Sequence, residues 1–115
     1  MSAPWPVKLA FRKGEKRLAI TFEDGSAFKI PYELLRVESP SAEVQGHHPD
    51  QKQLVTGKAD VDVLEAEPVG RYAVRLKFDD GHSSGIFSWS YLHELGENAD
   101  QLMAEYRDRV RAARR

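Results

Sequence analysis

Residues 17–30, Arg17-Leu18-Ala19-Ile20-Thr21-Phe22-Glu23-Asp24-Gly25-Ser26-Ala27-Phe28-Lys29-Ile30, carry the alternation that decides the fold. Leu18, Ile20 and Phe22 occupy one face of an extended segment, and the alternation resumes after Gly25 at Phe28 and Ile30. Side chains of a strand point to opposite faces in turn, so turn length sets which apolar residues share a face. A two-residue Asp-Gly loop would pair Phe22 with Ala27 and place Phe28 opposite to the face of Ile20. A three-residue loop, with Gly25 left-handed, pairs Phe22 with Ser26, Ile20 with Phe28 and Leu18 with Ile30. All five apolar residues then lie on one buried face, which selects the three-residue hairpin.

The same unit recurs 56 residues later, where Phe78-Asp79-Asp80-Gly81 repeats Phe22-Glu23-Asp24-Gly25. The same loop there pairs Phe78 with His82, Leu76 with Ser84 and Val74 with Ile86. Each hairpin runs into a short aromatic–leucine helical turn, Pro31-Tyr32-Glu33-Leu34-Leu35 and Ser88-Trp89-Ser90-Tyr91-Leu92. Proline pre-sets the first helical position, and Ser88 suits an N-cap. The two hairpins are expected to contribute to one antiparallel sheet.

Upstream, Trp5, Val7, Leu9 and Phe11 recur at period two behind Pro4 and Pro6, the pattern of an edge strand. Asp60–Val69 is a further strand, with either Val61 and Val63 or Leu64 and Ala66 inward, stopped by Pro68 and Gly70. Glu38–Lys58 is rich in Ser, Pro, Gly, His and Gln and reads as a long loop. The C-terminus is a helix with an apolar stripe of Ala99, Leu102, Met103, Tyr106, Val110 and Ala113. Asn98 and Gln101 fit a capping box, and Glu105–Arg109 fits an i,i+4 pair. The fold class is α+β: a single small domain with an antiparallel β-sheet built from hairpins, short helical turns and a C-terminal helix.

The 115 residues are expected to form one domain, 1–115, large enough to bury a core without staples. With no cysteine, the chain has no disulfide, thiolate metal site or cysteine nucleophile. Seventeen basic and eighteen acidic residues give a net charge of −1, so no overall field favours nucleic acid or a membrane surface. There is no long apolar run and no apolar signal core, which leads us to expect a cytoplasmic protein.

Arg107, Arg111, Arg114 and Arg115 line up at helical spacing with Arg109 on a neighbouring face. Such a cluster suits an anionic partner, or simply complements the helix dipole on a solvated face. Glu105 and Asp108 interrupt it and no stacking aromatics are interleaved, so the second account is preferred. Of the four histidines, His47 and His48 are adjacent, which is poor spacing for one ion, and His93 reads as surface. His82 falls on the core-facing side at the end of the second hairpin. Serines 83, 84, 88 and 90 lack a nucleophile-elbow pattern, and Asp79 and Asp80 read as solvated turn acids. No catalytic constellation stands out.

Three segments together carry a family resemblance: Leu18–Phe28, Leu34–His47 and Ala66–Gly96. Over about residues 7–107 the chain resembles the gamma-butyrobetaine hydroxylase-like N-terminal domain, as a stand-alone bacterial member. The resemblance implies a small α+β unit that also occurs ahead of iron- and 2-oxoglutarate-dependent oxygenase domains and attached to iron–sulfur carrier ATPases. In the hydroxylases it carries a zinc held by Cys-x-Cys-x-x-Cys and a later histidine. Those positions fall here on Ser39, Ser41, Val44 and His82, so only the histidine survives. Serine hydroxyls are neutral, weak ligands and valine has no donor, so neither the zinc nor the oxygenase chemistry carries over. The expectation is a non-enzymatic, cofactor-free binding or adaptor domain with an unknown protein partner, monomeric or weakly self-associating. Its candidate surface is Arg36, Ser39, Ser41, Glu43, His47, His48, His82 and Trp89. Arg36 serves either to hold an anionic group or to tie loop carbonyls with Glu38 or Glu43, and Trp89 is either contact or core. The alternative is a metal-binding protein tied to iron/2-oxoglutarate oxygenase or iron–sulfur metabolism, with a site rebuilt from His82, His47 or His48 and a carboxylate.

Overall fold

The computed structural model describes residues 5–40, 54–83 and 85–113. Three strands, β1 (Pro6–Arg12), β2 (Arg17–Phe22) and β3 (Ala27–Pro31), lead into helix α1 (Tyr32–Val37). A second set follows, β4 (Val63–Val69), β5 (Ala73–Phe78) and β6 (Gly85–Ser88), leading into α2 (Trp89–Glu97). Helix α3 (Ala99–Ala113) closes the chain. The protein is therefore α+β, as expected, but the hairpins do not share a sheet: the described strands form two three-stranded antiparallel sheets, β1-β2-β3 and β4-β5-β6. The repeat read from the hairpins is in fact a whole βββα unit. Each unit's first strand takes one side of its own hairpin, and α2 packs against β3 of the first sheet. Even the irregularities recur, with a register shift between Pro6 and Lys8 in β1 and another between Val63 and Glu65 in β4.

In the first hairpin the register is the expected one. Leu18 pairs with Ile30 and Ile20 with Phe28, Phe22 N–H donates to the Ser26 carbonyl at 2.8 Å, and Gly25 has φ +89°. The second begins identically: Phe78 N–H donates to His82 at 2.9 Å and Gly81 has φ +92°. Beyond His82 it departs. Leu76 pairs with Gly85 rather than Ser84, and Val74 with Phe87 rather than Ile86. The return strand thus accommodates one extra residue, which reverses its facing. Phe87 is fully buried and Ile86 is 41% exposed, so the bulge buries the larger apolar side chain.

Both sheets and the three described helices contribute to one core, built from Leu18, Phe22, Ile30, Leu35, Leu76, Phe78, Phe87, Leu92 and Met103 among others. The inward choice is Val61, just before β4, and Val63 at its start, with Leu64 exposed; the strand begins at Val63 rather than Asp60, runs through Pro68, tolerable on an edge, and stops before Gly70. Pro31 sits at the N-cap of α1, one residue before its expected place, and Ser88 accepts from Tyr91 N–H as the N-cap of α2. The capping box is not formed. Asn98 Nδ2 donates backward to the Glu94 carbonyl at the end of α2, Gln101 donates to Glu105, and Arg109 lies 3.7 Å from Glu38. With a single residue between α2 and α3, the Asn98 amide serves the orphan carbonyls of the first helix instead. No helix among the described residues is long and apolar enough to cross a membrane.

Candidate functional site at the crossed hairpin loops

The three-residue loops hold an aspartate in the same local geometry. Asp24 Oδ1 accepts from Ser26 N–H at 2.9 Å, and Asp80 Oδ1 accepts from His82 N–H at 3.0 Å, each closing an Asx turn. The rest of each aspartate reaches across to the helix of the other unit. Asp80 Oδ2 takes Arg36 Nε of α1 at 2.8 Å and Lys58 Nζ at 2.6 Å. Asp24 lies 3.7 Å from His93 Nε2 of α2. Arg36 and His93 are 57 positions apart, so they are counterparts in the repeat, and the two loops are exchanged between the two helices.

The second loop builds the larger cluster. Side chains of Arg36 and Asp80 are only 12% and 17% exposed, so Asp80 is no solvated turn acid. Burial alone would raise its pKa, but Lys58, the His82 N–H and Arg36 together hold it well below the usual carboxylate range. Arg36 Nη1 is buried with no hydrogen-bond partner. Beside this network Ser39 Oγ lies 2.9 Å from His82 Nε2, both residues buried. Tyr91 OH donates to the Glu38 carbonyl, fastening the same end of α1 to α2. Burial drives the Tyr91 phenol well above its usual value, reinforced by Glu38 and Glu94. Gly85 supports the arrangement, because a Cβ there would collide with Ser39 Oγ and crowd the Phe87 ring.

Arg36, Ser39 and His82 are thus brought together. Ser39 and His82 lie beneath the surface rather than on it. Trp89 is elsewhere, at the other end of β5 and β6, half-buried, with Nε1 donating to the Arg71 carbonyl at 2.8 Å. Ser41, Glu43, Val44, His47 and His48 lie outside the described residues, as does Ser84. The residues overlooked in the sequence are Asp80 and its counterpart Asp24, together with Lys58 and with His93, the counterpart of Arg36. The available signal was the Asp-Gly-x turn occurring twice, with a helix residue 12 positions on in the first unit and 13 in the second.

The family's zinc does not fit the donors present. Ser39 offers a neutral hydroxyl, and that hydroxyl and the one imidazole are hydrogen-bonded to each other. Among the described residues no three His, Cys, Asp or Glu side chains gather in a metal-binding group. Ser39→Ala removes one hydrogen bond to a buried ring nitrogen and should cost roughly 1–2 kcal/mol. The loss would be read as a lower urea midpoint, and an unchanged midpoint would remove the bond from the structural account.

The first loop offers a different temptation. His93 is not a surface residue: its ring meets Phe22 and Phe28 edge-on at 4.9 and 5.1 Å. Its Nδ1 lies 2.6 Å from Glu97, and its Nε2 is 3.2 Å from Ser26 Oγ, the outline of a Ser–His–acid relay. Ser26 Oγ, however, donates its proton to Asp24 Oδ1 and so accepts from Nε2 rather than giving to it. The Gly25 and Ser26 N–H groups, which could have stabilised an oxyanion, are spent on Phe22 and Asp24. The cluster acts as a strut. The two Ser26 hydrogen bonds come first among the causes that hold Asp24 below its ordinary value.

A duplicated βββα unit with exchanged loops, closed by a C-terminal helix, defines a small α+β domain. The chain belongs to the gamma-butyrobetaine hydroxylase-like N-terminal family, matching it over residues 9–93. It is similar to two proteins solved in solution by NMR, at 43% identity with TM-score 0.85 and at 42% identity with TM-score 0.82. The first comparison covers 99% of this chain and 85% of the other, the second 97% and 88%. It is also similar to a crystal structure of a protein with unknown function of the DUF971 family from Acidithiobacillus ferrooxidans. That comparison gives 39% identity and TM-score 0.70, over 83% of this chain and 98% of that one. No curated protein matches.

Proposed function

We propose that the protein is a single-domain, non-enzymatic binding or adaptor module of the cytoplasm, recruiting a protein partner and working without metal. The supporting observation is that, among the described residues, the candidate serine, histidine and aspartate side chains of the two loops are committed to holding the fold. Ser39 and His82 satisfy each other in the interior, Ser26 is turned toward Asp24, and Asp80 neutralises Arg36 and Lys58. What the cluster presents outward is the turn at exposed Asp79 and Gly81, which Arg36 holds through Asp80. Affinity capture from a native lysate tests the reading. Specific, stoichiometric capture of a protein is expected, and it should be lost in Arg36→Glu protein that remains folded. Capture of nothing, or turnover of a small molecule by the purified chain, would refute it.

One observation favours a second reading. The two family zinc positions that are described, Ser39 and His82, do come within 2.9 Å of each other. A rebuilt site there would make the protein a metal-binding accessory of iron/2-oxoglutarate oxygenase or iron–sulfur metabolism. Elemental analysis of untagged protein separates the two: substoichiometric metal is expected, and one tightly held ion per chain would establish the second reading.

A further inference from the structure

The arginines of α3 were read in the sequence as a solvated helix face, with no reason to distinguish one from another. The fold distinguishes Arg107. In β2 and β3, Arg17 pairs in register with Pro31, and Lys29 lies two residues back on the same outer face of the sheet. Arg107 approaches that face from α3, and the three cations line one groove of about 350 Å³ with Pro31, Met103 and Asp100. Arg36, Lys58, Arg109 and Arg111 each face a carboxylate. Among the described residues Arg17, Lys29 and Arg107 make no ion pair, and exposed Asp100 is the one acid lining the groove. Three like charges gathered in a concavity repel one another and raise the local concentration of anions. In a chain of net charge −1 this is a local feature and not a general one.

Arg107 also lines a second groove, of about 370 Å³, on its other side. That groove is mainly apolar, floored by Ala59, Tyr106 and Val110 between α1 and α3, with Lys58, Arg111 and one carboxylate, Glu33, at its margin. Long basic side chains lay their methylene stems along apolar surface while the charged heads stay wet. The two grooves meeting at Arg107 therefore form an amphipathic track: cationic on one side, apolar with a mixed-charge margin on the other, where Lys58 and Arg111 already face Asp80 and Asp108. Nucleic acid suits it poorly, because a strand-binding groove presents aromatic faces for stacking and Tyr106 is buried, its hydroxyl donating to the Val55 carbonyl.

We propose that the track joined at Arg107, with Arg17 and Lys29 on its polar side and Val110 on its apolar side, docks a short acidic peptide segment of a partner protein. The segment places carboxylates against the three cations and one apolar side chain in the neighbouring groove. The proposal rests on the reading of the protein as a binding module, and supplies the partner's chemistry and a second face away from the Ser39–His82 cluster.

The test uses the purified full chain and a synthetic peptide of Glu and Asp around one leucine, followed by amide NMR shifts. Shifts are expected at Arg17, Lys29, Arg107 and Val110, with affinity falling as salt is raised. Arg107→Glu should weaken binding roughly tenfold, whereas Lys77→Glu, exposed on β5 and of equal charge change, should leave it intact. Both sites are exposed, and thermal melts confirm that each variant is folded. No shift at the track, or an equal loss with Lys77→Glu, overturns the proposal. Equal binding of an all-glutamate peptide or inorganic phosphate overturns the apolar half, and equally tight binding of oligouridylate overturns the peptide assignment. Because no lysate is involved, failure here leaves the capture experiment at Arg36 standing.

Discussion

Replacing Phe87 by alanine should cost about 3–5 kcal/mol of folding free energy, while Ile86→Ala should cost about 1 kcal/mol or less. Phe87 is fully buried in the common core and its ring lies 6.1 Å from that of Tyr91, whereas Ile86 is 41% exposed. The alanine leaves a cavity among Leu76, Phe78 and their neighbours that the sheet cannot collapse to fill. The contrast matters because an unbulged hairpin, continued from the Asp79-Asp80-Gly81 turn, exchanges the two residues. Urea denaturation of both variants decides between the registers. Equal losses, or the larger loss at Ile86, would mean that β6 pairs without the extra residue.

Asp80 is the second position where a large effect is expected. Asp80→Asn should keep the turn, because the amide oxygen still accepts from His82 N–H, but it strips Arg36 and Lys58 of their shared counter-charge. Breaking a buried pair by removing one partner costs about 3–5 kcal/mol. With the Asp80 side chain 17% exposed on an otherwise exposed turn residue, roughly 2 kcal/mol is the reasonable expectation. Asp80→Ala should cost more, since the turn acceptor is lost as well. The acid response separates the charge from the shape. A carboxylate whose pKa is lower folded than unfolded stabilises the fold above its unfolded value, and that contribution is lost as the pH falls toward the folded value. Asp80 is held below its ordinary 3.8, so the gap between wild type and Asp80→Asn should be full above about pH 4 and shrink below it. A gap that stays constant through the acid range would remove the ion pairs from the account.

Local rules were enough for the first hairpin. Two Asp-Gly turns, five apolar residues of fixed parity and the Ser88 cap each concern neighbours in the chain, and each is found where the periodicity put it. Family membership was legible for the same reason, because ordered motifs survive in the order of residues. The departures share a cause. Whether the return strand holds Ser84 or Gly85 opposite Leu76 depends on what lies beneath, and that is Ser39, far away in the chain. Whether Asn98 caps forward or backward depends on the helix before it, and whether His93 is surface depends on Phe22 and Phe28.

The absence of cysteine and the retention of one histidine are facts of sequence, and with them the donor chemistry available at the family's zinc position. That Ser39 and His82 bond to each other, that Asp80 binds Arg36 across the repeat, and that Arg17, Lys29 and Arg107 share a groove were decided by tertiary structure alone. The sequence determines periodicity, which acts between neighbours. The Arg36–Asp80 and Ser39–His82 contacts of the site join residues more than forty positions apart, and they exist only once two βββα units have packed and exchanged their loops.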